Sequence, residues 1–371
     1  MSSPAVWPLD PHTGAKHTIL VEYLNAWLPI LSRHNERIIY IDGFAGPGVY
    51  KEGEDGSPII ALNCLLTHSL NICQRSTIYE FYFIEQNAER KAILEDRIKE
   101  KFPDIPENVV IHIIHGAFET VTRELLDDIE REGSNLSPTF AFLDPFGYGG
   151  LPFDLIRRIL AFRSCEVFIN FAYDSINRFI EAQDTREMTF DKLFETADWR
   201  CIREISDAQE RNTQLTALYT AQLKTTARYV RSFEMVNGMN KVSYYLFFAT
   251  NSIDGFEKMK AAMWRVDPRG SFRFADTTDV GQRFLLSYET NSKFKDQADF
   301  VYRQFYGNVV SKEMIKRYCI ESTPFPTFWS TSLKILESEG KIVVVSNGKR
   351  RKGTFPDGCR IRFNQGLISP N

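Results

Sequence analysis

The feature that most constrains this chain is a repeat of short, almost wholly apolar runs, each closed by an acid, a glycine or an Asp-Pro step. The runs are Arg37–Asp42, Tyr82–Glu85, Val109–Ile114, Thr139–Leu143 and Glu166–Phe171. Helical periodicity fills the gaps: Pro58–Leu70 behind Ser57, which is placed to cap it, then Asn87–Lys101, a helix ending at Glu130, and Pro152–Phe162. Ahead of the first run, Thr13–Leu31 carries Leu20, Tyr23, Leu24, Trp27 and Ile30 at three- and four-residue spacing. Strands with no polar face, separated by amphipathic helices, imply a parallel sheet covered on both sides.

Beyond the fifth run the pattern changes twice. Residues 172–225 read as a helical, polar insertion, and then Tyr229–Val236 and Val242–Thr250 flank Asn237-Gly238, a strong hairpin signal. A parallel sheet finished by an antiparallel hairpin predicts an α/β fold with the Rossmann-like sheet of class I methyltransferases rather than that of nicotinamide dehydrogenases. From Val310 onward the order is helix, Thr323-Pro324-Phe325-Pro326 break, helix, strand, basic turn and strand, which predicts a small C-terminal winged-helix domain. With 371 residues two domains are expected, 1–308 methyltransferase-like and 309–371 winged helix. Residues 311–371 hold eleven Lys and Arg against five Asp and Glu, whereas the remainder holds 34 against 43. A basic module on an acidic body points to nucleic acid as the partner. No window approaches the ~20 apolar residues of a membrane helix. Six scattered cysteines and no secretory pattern at the N-terminus predict a cytoplasmic, reducing location without membrane contact or a metal site.

In open α/β sheets ligands sit at the carboxyl ends of the strands, so the informative residues follow each run. After the first comes Asp42-Gly43-Phe44-Ala45-Gly46-Pro47-Gly48, whose glycines permit close backbone approach but match neither a dinucleotide fingerprint nor a P-loop. Glu85 ends the second run, where a carboxylate can accept from both ribose hydroxyls. Asp144-Pro145-Phe146-Gly147 ends the fourth. A carboxylate and the carbonyl of a Pro-fixed turn can orient an amine lone pair toward an electrophile, while a ring stacks on the base. Lys349-Arg350-Arg351-Lys352 in the expected wing would attract phosphates; a solvated turn on a protein-binding module is the other reading. His112 and His115 alternate with isoleucines and read as structural.

Asp42 to Gly48 resembles the DxFxGxG cofactor loop of amino-methyltransferases, and Asp144-Pro145-Phe146-Gly147 resembles their (D/N/S)PP(Y/F/W) motif, with Phe146 in place of the second Pro. Lys16-His17 ahead of Tyr40–Tyr50 is similar to the layout of the large-subunit rRNA adenine-N6 methyltransferases. Over its whole length the chain most closely resembles the bacterial three-Cys-motif partner proteins. The resemblance implies S-adenosylmethionine as cofactor. It would be held by His17, Asp42, Gly43, Phe44, Ala45, Gly46, Gly48, Glu85, Gly116 and Ala117, the last standing where many methyltransferases place an Asp. It implies Asp144, Pro145 and Phe146 as catalytic residues and no metal. The expected activity is methyl transfer to an exocyclic amine of DNA or RNA. The alternatives are a non-catalytic partner that recruits a radical-SAM-like three-Cys-motif protein, or small-molecule methylation with the basic tail used for dimerisation.

Overall fold

The computed structural model describes residues 6–181, 186–268, 270–275, 286–326, 328–345 and 350–364, with the backbone alone over 286–293. The chain divides into two compact units, residues 1–267 with 272–278, and residues 268–271 with 279–371.

In the first unit the elements run α1 Pro11–Leu31, β1 Arg37–Asp42, α2 Ser57–Leu66, β2 Ile78–Glu85, α3 Ala88–Lys101, β3 Val109–His115, α4 Phe118–Arg131, β4 Thr139–Leu143, α5 Phe153–Ala161 and β5 Cys165–Phe171. Four helices follow, α6 Tyr173–Phe179, α7 Glu187–Phe194, α8 Trp199–Arg203 and α9 Ala208–Lys224. They precede β6 Tyr229–Val236, β7 Val242–Thr250, α10 Ile253–Val266 and the short β8 Arg273–Ala275. The eight strands lie in the order β3-β2-β1-β4-β5-β7-β6-β8. Strands β1 to β5 are mutually parallel, and β7 is antiparallel to both β5 and β6. This is the Rossmann-like class I methyltransferase sheet that the apolar runs and the Asn237-Gly238 hairpin predicted.

Strand order reverses between β1 and β4, which are neighbours with Asp42 opposite Phe142. The switch point therefore brings the loop after β1 and the Asp-Pro turn after β4 to one place, where such sheets bind ligands. Ser57 does not cap α2. Gly56 is the N-cap, and a Cβ there would come within 2.9 Å of the Gly48 backbone, so Ser57 becomes the first helical residue beside Pro58. The helix stops at Leu66 rather than Leu70. The expected insertion is helical and packs onto the sheet: Ile176, Phe190, Trp199, Leu215 and Tyr219 share one core with Phe153, Phe171 and Phe247. Among the described residues no helix is long and apolar enough to cross a membrane.

The second unit contains α11 Leu286–Phe305, β9 Val309–Ser311, α12 Lys312–Ser322, α13 Trp329–Ser338, β10 Ile342–Val345 and β11 Arg360–Phe363, with sheet order β10-β11-β9. Its division from the first unit falls near residue 279, not at 308/309. The cause is α11, whose Ala298, Val301 and Phe305 are buried with Ile315, Leu333, Leu336 and Ile361 in the core of the second unit.

Candidate functional site

The loop after β1 is tied to both neighbouring strands. Gly43 N–H donates to Phe142 O at 3.0 Å and Ala45 N–H to Ile84 O at 2.9 Å. Gly46 and Gly48 have φ of 64° and 70°, and at Gly48 a side chain would also strike Leu94, so both the conformation and the space there require glycine. Gly56 N–H closes the loop onto Gly48 O at 2.8 Å, with residues 51–55 looped out between them. Together with Asp144-Pro145-Phe146-Gly147, this loop walls a cavity of about 370 Å³ that Lys16, Asn170 and Tyr244 also line.

Asp42 lies beneath the loop, fully buried. Its Oδ1 accepts from Phe44 N–H at 3.2 Å, while Oδ2 has no partner of hydrogen-bonding geometry. Burial pushes its carboxyl up to about 7; the nearby Ser57 hydroxyl and Phe44 N–H draw it back down, and Asp144 adds to the rise.

Asp144 stands one residue past β4, its carboxylate bound from two directions. Lys16 Nζ of α1 pairs with Oδ2, and Asn170 Nδ2 of β5 donates to Oδ1 at 2.6 Å. Register explains the second contact: Leu143 lies opposite Ile169 across the parallel β4–β5 pair, so the next residues, Asp144 and Asn170, are neighbours. Phe146, 60% exposed, presents its ring at the surface beside this group.

Of the Lys16-His17 pair it is Lys16 that lines the cavity, whereas the sequence had assigned the contact to His17. His17 is buried, its ring centroid 5.6 Å from that of Tyr50. Burial, reinforced by the Lys16 charge, pulls its pKa down to about 3, so the imidazole stays neutral.

Glu85 closes β2 as expected but does not line the cavity. Gly46 N–H donates to Oε2 at 3.0 Å, Asn87 N–H to Oε1 at 2.7 Å, and Arg90 Nε to Oε1 at 3.1 Å. The Arg90 guanidinium lies over the rings of Trp7 and Phe146, at 5.8 and 5.5 Å from their centroids. Trp7 meets Phe146 edge-on at 4.8 Å, and its carbonyl accepts from Lys51 N–H at 3.0 Å. Gly116 and Ala117 also fall outside the cavity wall: Gly116 N–H donates to Glu85 O at 3.1 Å, and Ala117 is the N-cap of α4. The sequence reading gave no role to Trp7, Arg90 or Asn170. Only Asn170 left a usable signal, as a polar residue near the carboxyl end of a strand whose other polar residue, Glu166, lies at its start.

In the second unit, Arg350 pairs with Glu337 of α13, whose other oxygen accepts from Gly353 N–H at 2.7 Å. Arg351 and Lys352 are exposed, and Lys349 lies outside the described residues. Lys312 is paired with Asp357.

No protein-family model matches the chain, and no curated protein matches it. Among solved structures it is similar to Trm1 from Pyrococcus horikoshii in complex with S-adenosyl-L-methionine, at 12% identity and a TM-score of 0.38 over 71% of this chain and 61% of that one. A precorrin-6y C5,15-methyltransferase from Geobacter metallireducens GS-15 is 14% identical, with a TM-score of 0.29 over 62% of this chain and 87% of that one. A putative O-methyltransferase from Klebsiella pneumoniae is 10% identical, with a TM-score of 0.30 over 66% and 92%. At such identities and TM-scores none of them transfers an activity or a ligand to this chain.

Proposed function

We propose that this protein is an S-adenosylmethionine-dependent methyltransferase acting on an exocyclic amine of a nucleic acid. The observation that carries the reading is Asp144 itself: a carboxylate at the switch point, held by Lys16 and Asn170, beside the Pro145 carbonyl, an exposed Phe146 and a glycine-walled cavity. The chain's groups fit the cofactor at one end. The glycine loop that lines the cavity offers backbone groups and no phosphate-binding lysine. When bound, the cofactor supplies a methyl group on a sulfonium, already electrophilic without a metal. In the transfer a C–N bond forms as the C–S bond breaks, and the amine proton leaves to solvent. Asp144 and the Pro145 carbonyl accept from the amine and so point its lone pair, Phe146 stacks on the base, and Gly46 and Gly48 belong to the cofactor side, with Glu85 behind them holding the Gly46 N–H. The second unit is read as a winged helix that grips the phosphate backbone through Arg351 and Lys352, the exposed cations of its basic turn.

The test is calorimetry with S-adenosylmethionine, followed by tritiated-methyl transfer to a mixture of tRNA, ribosomal RNA and plasmid DNA. Heat of binding with label in one pool supports the reading, and absence of binding at millimolar cofactor overturns it. One observation favours a second reading. Glu85 is already occupied by Arg90, which suits a binding module that delivers a three-Cys-motif partner protein to nucleic acid; nucleic-acid binding without transfer to any pool would select it.

A further inference from the structure

We infer that Asn170 is a positioning residue for the amine site, one that sets the direction in which Asp144 presents its free lone pairs. The inference rests on the amine-methyltransferase reading and names a group that reading does not require.

β5 is otherwise built for the core. Cys165, Val167, Phe168, Ile169 and Phe171 are buried and apolar, and the side chain of Glu166 is satisfied by Tyr23 and Thr250. Asn170 alone on this strand is half-buried and lines the cavity. Its amide is used one-sidedly. Nδ2 donates to Asp144 Oδ1 at 2.6 Å, whereas the buried Oδ1 of Asn170 has no partner. The orientation is forced, because a carboxylate facing an amide can only accept. A buried acceptor without a partner is a standing cost to folding. The structure bears that cost at the one position from which a neutral donor reaches Asp144 across the sheet.

Lys16 alone would not fix the carboxylate, since an ammonium on a flexible stem is a point charge with freely rotating donors. A second donor, from a strand whose register is locked, defines the carboxylate plane and leaves about one lone pair on each oxygen for an incoming N–H. An amide suits the position because it donates without adding charge. A carboxylate there would set two like charges at hydrogen-bond distance, which cannot both ionise.

The experiment compares wild-type protein with Asn170→Ala and Asn170→Asp. It measures kcat and KM for tritiated-methyl transfer to whichever nucleic-acid pool the wild type labels, over pH 5 to 9, with calorimetry of S-adenosylhomocysteine binding as the reference. Asn170→Ala should lower kcat about 10–100-fold, with KM and S-adenosylhomocysteine affinity within about threefold. Asn170→Asp should recover activity on acidification, as the introduced carboxyl takes a proton and donates to Asp144 as the amide did, and lose it as pH rises. Unchanged kcat in Asn170→Ala, or an Asn170→Asp profile parallel to wild type, overturns the role. A loss of S-adenosylhomocysteine affinity equal to the loss of kcat also overturns it, marking a general structural effect. Failure of the wild type to label any pool sinks the underlying reading, and this role with it.

Discussion

Arg90 occupies the carboxylate of Glu85, with Nε and a terminal nitrogen both 3.1 Å from Oε1, at the strand end where a ribose would bind. Both residues are buried, so the pair has two effects: it satisfies a desolvated charge, and it blocks Oε1 to a ligand. Glu85→Ala would leave the guanidinium unpaired and two backbone N–H groups without an acceptor. It should therefore cost about 3–5 kcal/mol of stability besides weakening cofactor. Arg90→Met keeps apolar bulk against Trp7 and Phe146 and leaves Oε1 with the Asn87 N–H alone. It should tighten S-adenosylhomocysteine binding about tenfold, roughly the net worth of one hydrogen bond to a charged group. Calorimetry on both variants, with thermal melts alongside, decides the matter. Weaker binding by Arg90→Met would show that the guanidinium is a wall of the cofactor site and not its competitor.

Lys16 is likewise a buried cation with a defined partner, and under the proposed function its variants separate transfer from binding. Lys16→Met removes the donor to Asp144 Oδ2 and leaves the carboxylate with Asn170 alone. Transfer should fall about 10²-fold while S-adenosylhomocysteine affinity stays within a few-fold. Filter-binding of labelled product gives the first number and calorimetry the second. Equal losses in both would move Lys16 from the amine site to the cofactor site.

The sheet and its two key acids were legible because each apolar run ends where a parallel strand must end, and Asp42 and Asp144 stand at those ends. What surrounds them was less so. Whether Lys16 or His17 faces the cavity depends on the rotation of α1. That rotation is set by Ile19, Leu20, Tyr23 and Leu24 burying one face, and two adjacent helical residues point about 100° apart. Asn170 beside Asp144 follows from β4–β5 register, which needs the strand order as well as the strands. Trp7 reaches Phe146 from a segment outside any helix or strand, with no periodicity to read. The boundary near residue 279 was hidden because α11 belongs to the core of the second unit although most of its surface pattern is polar.

Two buried groups should give the first unit a stability that varies with pH in opposite senses. Burial raises the Asp42 carboxyl from 3.8 to about 7, so the folded state holds a proton that the unfolded chain releases. That stabilisation is complete below pH ~4 and lost as pH rises through 7, an effect on the order of 4 kcal/mol. Burial lowers His17 from 6.5 to about 3, so its neutral form stabilises above pH ~6.5 and the contribution is lost as pH falls through 3. Between about pH 4 and 6.5 the two slopes offset each other. Asp42→Asn should therefore expose the His17 slope: melting several degrees above wild type at pH 8, with the advantage shrinking as pH falls and gone by about pH 4. His17→Asn should expose the other, melting lower as pH rises from 4 to 7. Parallel melting curves for wild type and Asp42→Asn across pH 5 to 8 would show that Asp42 does not titrate in this range.

The cations of the basic turn are not equivalent, which sharpens what a salt titration should show. Arg350 is spent internally: it pairs with Glu337, holds that carboxyl below the usual range, and with the Gly353 N–H pins the turn to α13. Arg351 and Lys352 are exposed, so they are the described members of the turn open to phosphate. Each duplex phosphate neutralised contributes about -0.9 to the slope of log affinity against log salt. Arg351→Ala with Lys352→Ala should flatten that slope by about 1–2 units and weaken binding similarly on unrelated sequences, because phosphate contacts carry no base readout. Arg350→Ala should change the slope by less than one unit and instead lower the melting temperature, by freeing the turn and leaving Glu337 without its cation. Fluorescence anisotropy on a labelled duplex from 50 to 300 mM salt separates the two, with S-adenosylhomocysteine affinity as the control that the first unit is intact. A slope that responds to Arg350 but not to Arg351 and Lys352 would mean the turn opens on binding. A slope that responds to neither would leave the basic turn as a protein-docking surface.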